Sequence, residues 1–149
     1  MFHALRRVAL LLLLLPALPA KADPALAGLT VYAGEDRAYR YTCLEDELRV
    51  NGAPADAEVF QTLLTQLADS LGGEETALPT GEEVLCVELS LEGEDVTLRY
   101  VRPAEAPEAL VVVAAAGEER LVRQTQGWRA ATILLACEGS FLPMPSPTP

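Results

Sequence analysis

The sequence predicts an α+β domain in which an antiparallel sheet carries two packed helices. Short segments with alternating apolar and polar residues recur between turn signals, and two longer segments have apolar residues at helical spacing. The frame Gly-Glu-Asp, three residues, Arg-Tyr occurs twice, at residues 34–41 and 93–100. This repeat predicts two related halves, about 28–71 and 84–138, each a β-meander followed by a helix.

The first 22 residues have the composition of an export signal. Arg6 and Arg7 precede an apolar run, which prolines interrupt and which ends in Ala-Lys-Ala at 20–22. A membrane anchor is the alternative, but a spanning helix needs roughly 20 apolar residues. We therefore expect residues 1–22 to be a signal peptide, cleaved after Ala22 or Ala20. The protein is then secreted or extracytoplasmic, in the cell envelope.

Removal of that segment changes the chemistry of the chain. It takes away the only histidine and the only lysine, His3 and Lys21, but no acidic residue. With two arginines also lost, the formal charge moves from −11 to −14. Such a charge argues against nucleic acid and anionic membranes as partners, and no membrane insertion is expected after cleavage. A basic protein surface or a cation is allowed, but solvated turns explain the acids more simply.

In the first half, strands are predicted at residues 29–33, 38–43 and 47–50. Turn residues separate them, and Asn51-Gly52 ends the third strand. The clearest helix follows at 55–71, because its large apolar residues share one face and two glycines stop it. The apolar face of the preceding strands is the nearest surface for this helix to cover.

An acidic, glycine-rich loop at 72–83 precedes the second half. Strands are predicted at 84–91, 96–101, 110–116 and 120–124, and the continuous apolar run at 110–116 predicts a strand covered on both faces. A helix is predicted from about 126 to 137, although its middle would also fit a strand. The single domain is assigned to 23–142, with a disordered proline-rich tail at 143–149.

The repeat has an alternative explanation. At the offset of 59 residues that aligns its two frames, Leu29 and Val31 fall on Glu88 and Ser90, so the apolar pattern of the first strand is not repeated. A bulge or a different loop would explain the mismatch. Coincidence would explain it equally well.

Three cysteines, Cys43, Cys86 and Cys137, allow at most one internal disulfide. Cys43 lies on the predicted inward face of its strand and Cys137 on the apolar stripe of the last helix, whereas Cys86 shares a polar face with Glu88. Cys43 and Cys137 are therefore the favoured partners of any disulfide. Three buried or half-buried free thiols are the equal alternative.

The exported chain lacks the residue types of most catalytic mechanisms. Without histidine, serine triads and imidazole acid–base catalysis are excluded, and a cysteine nucleophile would have no base to activate it. Dispersed cysteines argue against zinc, no glycine-rich phosphate loop is present, and the acidic pairs lack calcium-loop spacing. We expect no enzyme, no catalytic or metal-binding residues and no cofactor. An enzyme that uses two carboxylates is the remote alternative.

Arginines and one tryptophan are the remaining candidate binding groups. Arg40 and Arg99, each followed by a tyrosine, could recognise a partner, but outward arginines on strands usually pair with acids across strands. Trp128 is predicted to anchor the core at the start of the last helix.

The order of the predicted elements resembles one unit of a bacterial family. An Asn-Gly turn precedes AEVFQTLLTQLADSL, an acidic loop follows, and VLCVELSLEGEDVTLRYV, a hydrophobic strand, ERLVRQT and a closing helix complete the unit. This order is similar to the uncharacterised extracytoplasmic family called domain of unknown function 4340, over most of the chain after residue 22. The resemblance implies an exported, non-catalytic α+β module and no site residues.

These observations favour a function in binding. We expect an exported, non-catalytic module of the cell envelope that binds a protein, or has a structural role, through a strand edge or a sheet face. The alternative is an acidic secreted protein that binds cations or acts as an inhibitor of a basic partner. Neither the identity of the partner nor the oligomeric state follows from the sequence.

Overall fold

Eight antiparallel strands form one sheet in the computed structural model, which describes residues 26–44, 47–91 and 94–142. Two helices follow the fourth and the eighth strand, so the predicted α+β class is confirmed. The expected signal peptide and proline-rich tail lie outside the described residues. In chain order the elements are β1 (Leu26–Ala33), β2 (Arg37–Leu44), β3 (Glu47–Val50), β4 (Ala53–Pro54), α1 (Ala57–Ser70), β5 (Gly81–Leu91), β6 (Glu94–Pro103), β7 (Leu110–Ala116), β8 (Glu119–Thr125) and α2 (Arg129–Glu138).

The sheet has the strand order β4-β3-β2-β1-β5-β6-β7-β8. Neighbouring strands are consecutive in sequence except in the middle, where β1 pairs with β5 through Leu29↔Leu89 and Val31↔Val87. This junction joins the strands that precede α1 to those that follow it. The sheet is therefore continuous across the chain.

Helix α1 begins where a side chain satisfies its free backbone N–H groups. The Asp56 carboxylate accepts hydrogen bonds from the backbone N–H of Glu58 at 2.9 Å and of Val59 at 3.3 Å. The predicted apolar stripe is buried, and Leu63 and Leu67 have no exposed surface. The stripe therefore orients α1 against the sheet.

Helix α2 begins at Arg129, three residues later than predicted, and this shift changes the role of Trp128. The indole is 53% exposed, so the predicted core anchor is wrong. Trp128 is the residue before the first turn, whereas Ile133 and Cys137 are fully buried. These two residues anchor α2 instead.

Both helices pack against the same face of the sheet and form one hydrophobic core with it. Alternate side chains of the strands point into this core, including Val31, Tyr41, Val87 and Leu98. The side chains between them point to the opposite side, which we call the open face. Strand β7 is buried on both of its sides, as its apolar run predicts. The open face of the other central strands carries Thr30, Arg40, Glu88, Thr97 and Arg99.

Candidate functional site

Two buried tyrosines each link a strand of the sheet to the end of one helix. The Tyr100 hydroxyl on β6 lies 2.8 Å from Ser70 Oγ at the end of α1, and Ser70 donates to the Leu67 carbonyl. Because the serine proton is used within the helix, Tyr100 is the donor to Ser70. Burial raises the pKa of Tyr100, so its hydroxyl stays protonated.

The second tyrosine repeats this arrangement at α2. Tyr41 on β2 lies 2.7 Å from Ser140 Oγ, just beyond α2, and Ser140 donates to the Ala136 carbonyl at 2.7 Å. Burial also raises the pKa of Tyr41. We call the pairs Tyr100–Ser70 and Tyr41–Ser140 the tyrosine–serine pairs. They hold the helices in place and are structural rather than reactive.

The segments after the helices also reach the two edges of the sheet. After α1, Glu75 forms an antiparallel bridge with Arg123 on the outer side of β8. After α2, Phe141 forms a bridge with Ala55 beside β4, and the backbone N–H of Leu142 donates to the Pro54 carbonyl. Both edges of the sheet are thus partly paired by the chain itself, which disfavours partner binding through a strand edge.

The three cysteines are free thiols in the structure. Cys137 is buried, but Cys43 is exposed near the end of β2, although the sequence placed it on the inward face. Burial raises the pKa of the Cys137 thiol to about 11, and the pKa of Cys86 is also raised, mainly by burial. No bond joins Cys43 to Cys137 here, and their pairing stays a prediction.

The two candidate arginines have different surroundings. Arg99 forms a cross-strand ion pair with Glu83, and this hydrogen bond raises the pKa of Arg99. Arg40 forms no ion pair with any residue that the structure describes, and its side chain is exposed on the open face. Nowhere in residues 26–44, 47–91 and 94–142 do three or more acids, cysteines or histidines come together as a metal site.

The largest exposed apolar side chains are concentrated on α2 and the residues after it. Leu135 lies seven residues after Trp128, so both lie on the same outer side of the helix. The guanidinium of Arg129 lies 4.5 Å from the centroid of the indole ring and donates to Gln66, which restrains the tryptophan. We call this surface the α2 patch, and its exposed members are Trp128 (53%), Leu135 (66%), Phe141 (40%) and Leu142 (45%).

Two depressions on the open face lie on either side of the line of β1. The larger, about 520 Å³, lies over Gly28 and is lined by Glu88, Ser90, Asp95 and Thr97. The smaller, about 280 Å³, includes Arg40 and residues from the β3–β4 turn. One depression is therefore acidic and the other is basic.

No family model matches this chain, and neither do the curated proteins or the solved structures. The resemblance to domain of unknown function 4340 therefore stays a prediction. In the part of the chain that the structure describes, neither helix is long and apolar enough to span a membrane.

The residues that the sequence reasoning missed are mostly small and polar. Ser70 and Ser140 gave no signal of their own, since a serine near a helix end is common. The clue was available in Tyr41 and Tyr100, which end the two copies of the repeated frame. The exposed position of Trp128 had no sequence signal, because it depends on where α2 begins.

Proposed function

We propose that this protein is an exported, non-catalytic module of the cell envelope that binds another protein through the α2 patch. The observation that carries the proposal is the concentration of exposed apolar side chains there. Of the five large hydrophobic residues exposed in the described ranges, only Leu78 lies outside the patch. Exposed apolar side chains that are grouped on one element favour a role in protein binding.

The chemistry of the patch fits protein recognition. Tryptophan and leucine supply apolar area, and tryptophan is the residue most enriched among those that dominate binding energy. The cation of Arg129 restrains the indole before binding, so less conformational freedom is lost when a partner docks. Because the exported chain is strongly acidic, the partner should offer an apolar groove with a neutral or basic rim.

Two features support a role without catalysis. The only histidine of the sequence is His3, within the expected signal peptide, so export would leave no imidazole. The buried Tyr41, Tyr100 and Cys137 have raised pKa values, which keeps them protonated and poor as nucleophiles or bases. Turnover of an envelope substrate that persists through repeated purification would count against this part of the proposal.

We further propose that the fold consists of two duplicated units, each a meander followed by a helix. The repeated frame places Tyr41 and Tyr100 at equivalent positions in β2 and β6. Each tyrosine is hydrogen-bonded to a serine at or just beyond the end of the helix of the other unit. This reciprocal arrangement supports duplication over coincidence.

Site-specific photo-crosslinking tests the proposed binding surface. A benzoyl-phenylalanine placed at Leu135 should give a discrete crosslinked product with a native envelope fraction, and excess unlabelled protein should compete it away. The same probe at Leu78, which is 57% exposed, is the matched control and should give no such product. Equal products from both positions, or none from either, would contradict binding through the α2 patch.

A further inference from the structure

We propose that two copies of this chain pack face to face through the open face of the sheet, about a two-fold axis that runs along β1. This proposal is independent of the α2 patch, which lies on the helix side of the sheet. It is based on the position of charged side chains relative to β1. A two-fold axis makes each contact occur twice, so the surface has to complement itself.

The first complementary pair is Arg40 and Glu88. Thr30 on β1 pairs with Arg40 on β2 and with Glu88 on β5. The cation and the acid therefore lie on opposite sides of Thr30, each one strand away, at the same height along the sheet. Rotation about β1 places Arg40 of each copy over Glu88 of the other.

The second pair lies one row further along the strands. Asp95 pairs with Ser90, and Ser90 pairs with Gly28 on β1. On the other side of β1, Arg49 pairs with Thr42. Thr42 lies beside Gly28, because the adjacent residues Tyr41 and Leu29 are paired. Arg49 and Asp95 are thus each two strands from the axis. The same rotation brings them together.

Each arginine retains capacity for a further bond. Arg40 has no ion pair with described residues, and Arg49 uses one terminal nitrogen for Glu47 at 3.1 Å while 40% of its side chain remains exposed. In the dimer, Arg40 of one copy would enter the acidic depression over Gly28 of the other copy, because glycine has no side chain to fill that space. Small residues at Thr30 and Ser90 allow the sheets to approach to about 10 Å.

The footprint lies toward the lower end of specific protein interfaces. Five strands overlap around the axis, in the sheet order β3-β2-β1-β5-β6. The three central strands overlap over about 27 Å, whereas the four-residue β3 overlaps β6 of the other copy over only about 14 Å. Their projected area is about 500 Å² at the usual strand spacing and rise, and interdigitating side chains raise the buried accessible area toward the ~800 Å² per partner of standard interfaces. Charge also favours this face, because the remaining surface of the chain is strongly acidic and repels its copy.

A charge-swap series tests the dimer by sedimentation equilibrium of the exported chain. R40E should weaken self-association at least tenfold, and E88R should do the same, since each places like charges together at two symmetric contacts. The double variant R40E/E88R should restore dimers, because the swapped charges again meet. R37E is the matched control, since it makes the same charge change at an exposed arginine outside the open face.

Each outcome of the series decides the proposal. Restoration in the double variant, with native circular dichroism for all four proteins, supports the two-fold arrangement. A monomer at every concentration overturns it, as does a dimer that R40E leaves intact. Loss in both single variants without restoration in the double also overturns it, and indicates that a different protein is the partner of this face.

Discussion

Tyr100 and Ser70 allow the stabilising role of the tyrosine–serine pairs to be measured. Tyr100→Phe removes the proton that the buried hydroxyl donates to Ser70, and a net loss of about 1 kcal/mol is expected in the free energy of unfolding. Ser70→Ala leaves the Tyr100 hydroxyl, which has no exposed surface, without its acceptor. An unsatisfied buried donor costs about 1–3 kcal/mol, so this variant should be the less stable of the two.

The double variant Tyr100→Phe/Ser70→Ala removes both polar groups and should lose less stability than the sum of the single variants, by about 1 kcal/mol. Urea unfolding followed by circular dichroism measures these differences, and each 1 kcal/mol corresponds to about 4 °C in Tm for a domain of this size. Tyr32→Phe is the control, because its hydroxyl bonds Glu88 at 3.4 Å in an exposed position. It should cost less than about 0.5 kcal/mol. If Tyr100→Phe is no more costly than Tyr32→Phe, or if the single effects simply add, the pairs do not have the role assigned to them.

Four further predictions test other parts of the structure. A thiol reagent should modify Cys43 quickly in the native protein, Cys86 more slowly and Cys137 only on unfolding, whereas a Cys43–Cys137 disulfide would leave one reactive thiol even in urea. Because the folded pKa of Cys137 is raised from 9.0 to about 11, its contribution to stability is fully present below pH 9 and is lost as the pH rises toward 11. In Cys137→Ala, the free energy of unfolding measured with urea should therefore fall less steeply between pH 9 and pH 11 than in the wild type. An equally steep fall would show that other groups cause the loss. Gly73→Ala should destabilise the fold by several kcal/mol, since the new methyl would lie 1.8 Å from the Gln124 carbonyl oxygen, while Gly72→Ala, with its nearest backbone atom at 3.5 Å, should be tolerated. Millimolar calcium should leave Tm unchanged, and a saturable rise would instead support the cation-binding alternative.

Local patterns in the sequence predicted most of the secondary structure. The predicted ends of β3 and β7 agree with the structure, because turn residues and apolar alternation are encoded within a few residues of each strand. Helix α1 was predicted to within two residues at its start and one at its end. The two-residue strand β4 was missed, since Ala53–Pro54 has neither the length nor the alternation of a strand.

Features that depend on distant contacts could not be predicted in the same way. The pairing of β1 with β5 joins residues about sixty positions apart, and Tyr41 meets Ser140 across 99 positions. Local periodicity does not specify such partners. The exposure of Cys43 has a related cause, because alternation assigns a face to a residue but does not show where the covering helices end. For the same reason the α2 patch appeared only in three dimensions.

Trp128 provides the most direct test of protein binding through the α2 patch, since it is the only tryptophan in the chain. Protein labelled with 5-fluorotryptophan gives one ¹⁹F resonance, which reports the patch alone. Addition of a native envelope fraction should shift or broaden this resonance. Excess unlabelled wild-type protein should restore it, whereas Leu135→Gln should restore it poorly. A resonance that keeps its position and width throughout would contradict the proposed function.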